Sequence, residues 1–86
     1  VYKLYFTKQA QKDAQKIKQS GLKDKVEDLL GKLQINPFIR PPSYEKLVGD
    51  LTGSYSRRIT IQYRLVYQVY EDQKAIKIIR MWTHYE

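Results

Sequence analysis

Three stretches near the end of the chain, "YSRRIT", "YRLVYQVY" and "AIKIIRMW", constrain its fold more than anything else in it. Each is rich in β-branched and aromatic residues, which suit a pleated, half-buried surface. Only a brief turn near Ile61-Gln62 and the tetrapeptide "EDQK" separate them. A parallel return between strands needs a crossover of about a dozen residues or more. Neither connection is long enough, so the three runs must pair as an antiparallel meander.

The first half of the chain has to cover that sheet. "VYKLYF" alternates and reads as a short strand, and Thr7 can cap the helix that follows. "KQAQKDAQKIKQ" carries a thin apolar stripe of Ala10, Ala14 and Ile17, and Gly21 breaks it. "LKDKVEDLLGKLQI" places Leu22, Val26, Leu29, Leu30 and Leu33 on one face, and Asn36-Pro37 stops it. The two helices form an antiparallel hairpin linked at Ser20-Gly21. "PFIRPPSYEKLVGDLTGSY" is punctuated by prolines and glycines and reads as a long ordered loop. A short extended piece is expected there at Lys46 to Val48, with Leu47, Val48 and Leu51 tying the loop to the core. The expected fold class is α+β in the order β-α-α-β-β-β, a single domain over residues 1–86. The compact antiparallel or mixed β-sheet is packed on one face by the N-terminal two-helix hairpin and has its other face free to work.

Composition narrows the function. The chain has 86 residues and a formal net charge of +7, which favours an anionic partner such as nucleic acid, an acidic protein or a membrane surface. It has no cysteine, so disulfides, thiolate metal sites and cysteine nucleophiles are excluded. The four glycines are scattered and form no phosphate loop, and one histidine with unclustered acids gives no metal site of recognised spacing. No cofactor is implied. The apolar runs are too short to span a bilayer, and a cytoplasmic protein is the expectation.

The sole histidine, His84, lies in the terminal "RMWTHYE". A uniform hairpin centred between Asp72 and Gln73 puts Arg64 opposite Met81 and draws it toward His84. The preceding hairpin puts Arg57 and Arg58 opposite Val66 and Leu65. Arginines and a histidine gathered at one end of a sheet match what cleavage of RNA requires. A guanidinium can hold the phosphorus-bound oxygens as negative charge builds, and an imidazole can protonate the leaving 5′-oxygen. A carboxylate at the rim can take the proton of the 2′-hydroxyl, a group DNA lacks. Arg57 and Arg58 are adjacent in a strand and face opposite ways, so only one of them can face a substrate. Lysines 8, 12, 16 and 18 form a solvated helix surface that adds long-range attraction to RNA. A non-catalytic RNA- or protein-binding module would use the same basic sheet face and leave the acid and the histidine idle.

"NPF", then a loop with "YEKLVGDLTGSYSRRI", then "YRLVYQV" and a strand ending "THY" resemble the YoeB/Txe branch of the RelE-like bacterial toxins. These are mRNA interferases of type II toxin–antitoxin systems. The resemblance covers nearly the whole chain. It implies a RelE-like, microbial-ribonuclease-type domain that enters the ribosomal A site, cleaves mRNA there by acid–base transesterification without a metal, and so inhibits translation. It implies a YefM/Axe-like antitoxin as partner, a homodimer or toxin–antitoxin hetero-oligomer, and operator DNA reached only through the antitoxin. Carried over residue by residue, it makes Glu45 the general base, Arg64 the phosphate ligand, His84 the general acid and Tyr85 its neighbour in catalysis. It assigns Arg58 to the substrate phosphate and leaves Arg57 a surface or structural residue; Lys46 and Arg57, basic residues of the same two stretches, are further candidates for RNA contact. The chain departs from the family pattern in two places. Lys46 and Val48 follow Glu45 where the family commonly has proline and lysine, and Glu86 extends past the tyrosine.

Overall fold

The computed structural model describes residues 1–41, 43–49 and 52–84, the last three of these by their backbone alone. Its elements run β1 (Lys3–Phe6), α1 (Lys8–Gln19), α2 (Lys23–Ile35), β2 (Tyr44–Lys46), β3 (Tyr55–Arg58), β4 (Tyr63–Tyr70) and β5 (Ala75–His84). The strands form one five-stranded sheet in the order β1-β5-β4-β3-β2. Strands β2 to β5 pair antiparallel, and β1 lies parallel to β5 at the edge. The sheet is mixed and the fold class is α+β, as the short connections and the two helical periods require.

Local signals account for the helix ends. The Thr7 hydroxyl accepts from the Ala10 amide at 3.0 Å and caps α1. Gly21, at a φ of 79°, takes the left-handed conformation that lets the chain leave α1 and enter α2 within a few residues. The core then forms where the helix stripes meet the sheet. Ala10, Ile17, Val26, Leu29, Leu30 and Leu33 pack on Leu65, Tyr67, Ile76, Ile78 and Met81. The expected stripes face the core, with Ala14 and Leu22 only partly buried at its margin.

The loop after α2 departs from expectation. Its strand is Tyr44–Lys46, two residues earlier than the sequence suggests, and it pairs with β3. Val48, expected to tie the loop to the core, is 85% exposed. Leu51 lies outside the described residues. The loop is fastened instead by rings: Phe38, Tyr44 and Tyr55 pack edge-on or tilted with their centres 5.3–5.9 Å apart, and Tyr55 continues the cluster to Tyr67 at 5.7 Å.

Both expected hairpin registers shift. Arg58 pairs with Arg64 and Arg57 with Leu65, one residue away from the expected match. Between β4 and β5 the uniform pairing holds from Tyr70↔Ala75 to Tyr67↔Ile78. It then slips, so that Val66 faces Arg80, Arg64 faces Thr83 and Tyr63 faces His84. Two β-bulges on β5 produce the slip.

Candidate active site

Alternation along the strands sorts the candidate residues into two faces. On β4, Leu65 and Tyr67 point to the helices, so Arg64 and Val66 point away from them. On β3, Arg58 pairs with Arg64 and Ser56 with Val66, which puts them on the open face too. On β2, Glu45 pairs with Ser56 and joins them. Three residues expected in the site thus come together on one face: Glu45, Arg58 and Arg64.

They line a cleft of about 480 Å³ with Lys25, Ser43, Ser56 and the β3–β4 turn at Ile59 to Ile61. Arg64 forms the floor at 6% exposure, although it is a charged residue, and Ser56 beside it is 3% exposed. A carboxylate oxygen of Glu45 stands 3.7 Å from Nη1 of Arg64. The Glu45 side chain remains 58% exposed, so it can meet a ligand at the rim while Arg64 waits below. Arg58 is exposed and overhangs the same space. The cleft therefore offers one carboxylate and two guanidiniums on a common lining, an arrangement suited to binding a phosphodiester and removing a proton next to it.

The backbone of β5 completes the frame. Thr83 is opposite Arg64, and His84 is opposite Tyr63, the residue next to Arg64 in β4. The backbone of β5 is thus paired into the sheet as far as His84, on the strand that carries the buried arginine. Tyr85, expected to act with His84, lies outside the described residues.

Two expected RNA contacts fall on the wrong face. Arg57 is completely buried on the helix side of β3. Its Nε donates to the Tyr67 hydroxyl at 3.0 Å, one Nη donates to the Pro37 carbonyl at 3.1 Å, and its guanidinium lies 4.9 Å from the Tyr44 ring. It braces the loop start and does not meet solvent. Burial pushes the Tyr67 phenol above its ordinary pKa, and the hydrogen bond from Arg57 opposes that shift. Lys46 pairs with Tyr55 and shares its side of the sheet, away from Glu45. Pleat parity, which already separates Arg57 from Arg58, sends both residues to the other side of the sheet.

One cation of the cleft was not anticipated. Lys25 enters from α2 and also borders the neighbouring hollows, one with Arg58, Asp28 and Lys32, the other with Thr60 to Gln62. On sequence it looks like one more solvated helix lysine. Only the seating of α2 beside the β3–β4 turn gives it a place at the site. Among the described residues, no group of three or more histidines and carboxylates could hold a metal ion.

Residues 4–85 match the family described as YoeB-like toxin of bacterial type II toxin-antitoxin system. The chain belongs to this family. Toxin YoeB of Mycobacterium bovis is 34% identical over 61 residues, covering 71% of this chain and 69% of the relative. Among solved structures, the YoeB/ParE toxin from Agrobacterium tumefaciens superposes with a TM-score of 0.86 at 30% identity, over 96% of this chain and 99% of that one. The YoeB toxin of Staphylococcus aureus, seen in a heterotetrameric complex with YefM, gives a TM-score of 0.82 at 34% identity over 99% of both chains. That toxin has also been solved as a dimer. The mixed sheet with its helix hairpin is therefore the RelE-like α+β fold of a type II toxin, and the cleft lies on the face of the YoeB-type domain that the helices leave open.

Proposed function

We propose that this toxin is a ribosome-dependent mRNA endoribonuclease that cuts mRNA in the A site by transesterification and so stops translation. The observation that carries the reading is the cleft that joins Glu45, Arg58 and Arg64, with the 3.7 Å approach of carboxylate and guanidinium at its centre. Glu45 takes the proton of the 2′-hydroxyl at the cleavage position. The freed oxygen attacks phosphorus and forms the 2′-O–P bond. Arg64 and Arg58 hold the non-bridging oxygens as the phosphorus becomes five-coordinate and gains negative charge. The P–O5′ bond breaks, and His84 gives the departing oxygen its proton. Tyr85, next to His84 in sequence, stacks on a base or steadies the histidine. In this scheme each proton moved is taken or given by a side chain, and the charge that builds on the phosphoryl oxygens is met by the arginines, so the reaction asks for no metal. Lys25 meets a phosphate beside the scissile one.

A YefM-like antitoxin neutralises the toxin. The support is the family membership, the YefM complex of the staphylococcal relative and the +7 charge, which draws an acidic segment toward the basic face. The toxin also self-associates as a homodimer, as the staphylococcal relative does. It works in the cytoplasm, where ribosomes are; among the described residues no helix is long and apolar enough to cross a membrane.

The deciding experiment is single-turnover cleavage on programmed ribosomes with analysis of the RNA ends. The expected products carry a 2′,3′-cyclic or 3′-phosphate and a 5′-hydroxyl. A 5′-phosphate product would overturn the mechanism, and ribosomes left with intact mRNA would overturn the function.

A further inference from the structure

Asp13 is an acid in the middle of a lysine- and glutamine-rich helix, yet it is completely buried. Burying a carboxylate is costly unless several donors meet it. The donors here come mostly from one place. Arg80 Nε lies 2.9 Å from its Oδ2 and the Met81 amide 3.0 Å from the same oxygen, while Gln9 Nε2 approaches Oδ1 at 3.0 Å. Arg80 and Met81 belong to the stretch where β5 slips against β4.

The slip has a second attachment to α1. At the first bulge, Ile79 is the extra residue between the pairs Tyr67↔Ile78 and Val66↔Arg80. Its carbonyl accepts a hydrogen bond at 2.9 Å from the hydroxyl of Thr7, the same hydroxyl that caps α1. The Thr7 amide donates to the Ile78 carbonyl at 3.1 Å. A bulge leaves backbone groups without ladder partners, and buried ones must find others. Here α1 and its cap supply them: the Thr7 hydroxyl is a donor for Ile79 and the Asp13 carboxylate an acceptor for Met81.

The consequence lies at the chain end. Had the uniform pairing of Tyr70↔Ala75 continued, Trp82 would face Tyr63, and His84 would fall opposite Ile61, beyond the end of β4. The two extra residues draw His84 back to Tyr63, beside Arg64. We infer that Thr7 and Asp13 are positioning residues: helix α1 is a template that fixes the bulged register of β5 and thereby sets where His84 stands. This rests on the proposed role of His84 as the acid, but the register itself can be read without any cleavage assay.

The test joins two readouts on the isotopically labelled full chain: cross-strand backbone contacts of Tyr63 by NMR, and single-turnover cleavage at saturating ribosomes. Asp13→Asn keeps an acceptor for the Met81 amide and should hold the register in most molecules. Asp13→Ala removes it, so contacts between Tyr63 and His84 should weaken or pass to Trp82, and exchange of the Met81 amide should quicken. Cleavage should then fall by ~10²-fold, the scale of a small misplacement of a reacting group. Ribosome affinity should stay within a few-fold, because Arg58 and Arg64 remain. Thr7→Asp is the milder companion if Asp13→Ala does not fold. It keeps an acceptor for the Ala10 amide but has no proton to give the Ile79 carbonyl, and it should loosen the same contacts. Unchanged Tyr63–His84 contacts in the folded variants would overturn the template. A shifted register with wild-type cleavage would support the template and remove His84 from the mechanism.

Discussion

Arg58 and Arg64 stand directly opposite each other on β3 and β4, two cations on the same face of the sheet. Like charges at directly opposed positions destabilise an antiparallel pair. Glu45 offsets part of this from 3.7 Å, through a side chain that water still reaches. Such a pair makes sense if an anion completes it. Arg58→Thr should therefore raise the urea midpoint slightly and weaken RNA binding at the same time. A variant that is less stable than the parent would show that the two arginines are not in conflict.

Substitutions of the groups proposed for proton transfer should separate binding from chemistry. Glu45→Gln keeps the shape of the rim and removes the base, so it should bind programmed ribosomes and cut ~10²–10⁴-fold more slowly. His84→Ala should lose a comparable factor with little change in stability. Arg64→Ala should lose both rate and affinity, since a guanidinium on phosphate acts in the ground state and more strongly as charge builds. Active-site titration with rates measured at saturation distinguishes the three. Equal losses of affinity in all of them would argue for a binding module.

The helices and the sheet were legible because they follow simple periods. Ala10, Ile17, Val26 and Leu33 recur at helical spacing, and all are buried. The meander followed from connections too short for anything else. The site was legible only in part, and the failures share a cause. Pleat parity depends on register, and register on single residues. A one-residue error in the β3–β4 hairpin hid the direct Arg58–Arg64 opposition. The bulges in β5 left no signature near Ile79, because the groups that stabilise them, Thr7 and Asp13, lie more than sixty positions away. Arg57 looked like its neighbour Arg58 and has the opposite fate. Nothing local in "SRRI" marks one arginine for the interior; Tyr67 and Pro37, which receive it, are distant in sequence.

Lys25 tests the extent of the RNA track. It lies between the cleft and the hollow bordered by Lys32 and Asp28, which themselves pair at 3.2 Å. If Lys25 meets a phosphate, Lys25→Gln should reduce the salt dependence of binding to a short single-stranded RNA by ~0.7 in the slope of log affinity against log salt. Cleavage at saturation should hardly change, because no proton or developing charge falls on it. Affinities measured from about 50 to 200 mM salt decide this. An unaltered slope would confine the RNA to the arginines.

The buried pair Arg57 and Tyr67 should govern stability and leave the chemistry alone. The Tyr67 hydroxyl donates to the Pro37 carbonyl at 2.8 Å and accepts from Arg57 Nε at 3.0 Å, which fastens the start of the β2 loop to β3 and β4. Arg57→Ala leaves the Tyr67 oxygen without this donor and empties a fully buried site, so about 1.5–3 kcal/mol should be lost for the charged hydrogen bonds alone. Cleavage by the fraction that stays folded should persist. Tyr67→Phe probes the same network by pH. Burial raises the folded-state pKa above the ordinary 10.0, with Arg57 pulling it partly back. A group raised on folding keeps its proton longer in the native state than in the unfolded chain. Its contribution is complete below the ordinary value and is lost as pH rises through the folded one. The stability gap between wild type and Tyr67→Phe should therefore be constant from neutral pH to the ordinary tyrosine range and narrow above it. Urea titrations across that range give the gap directly. A gap that widens with alkali would mean that the phenolate is favoured inside, and that Arg57 outweighs burial.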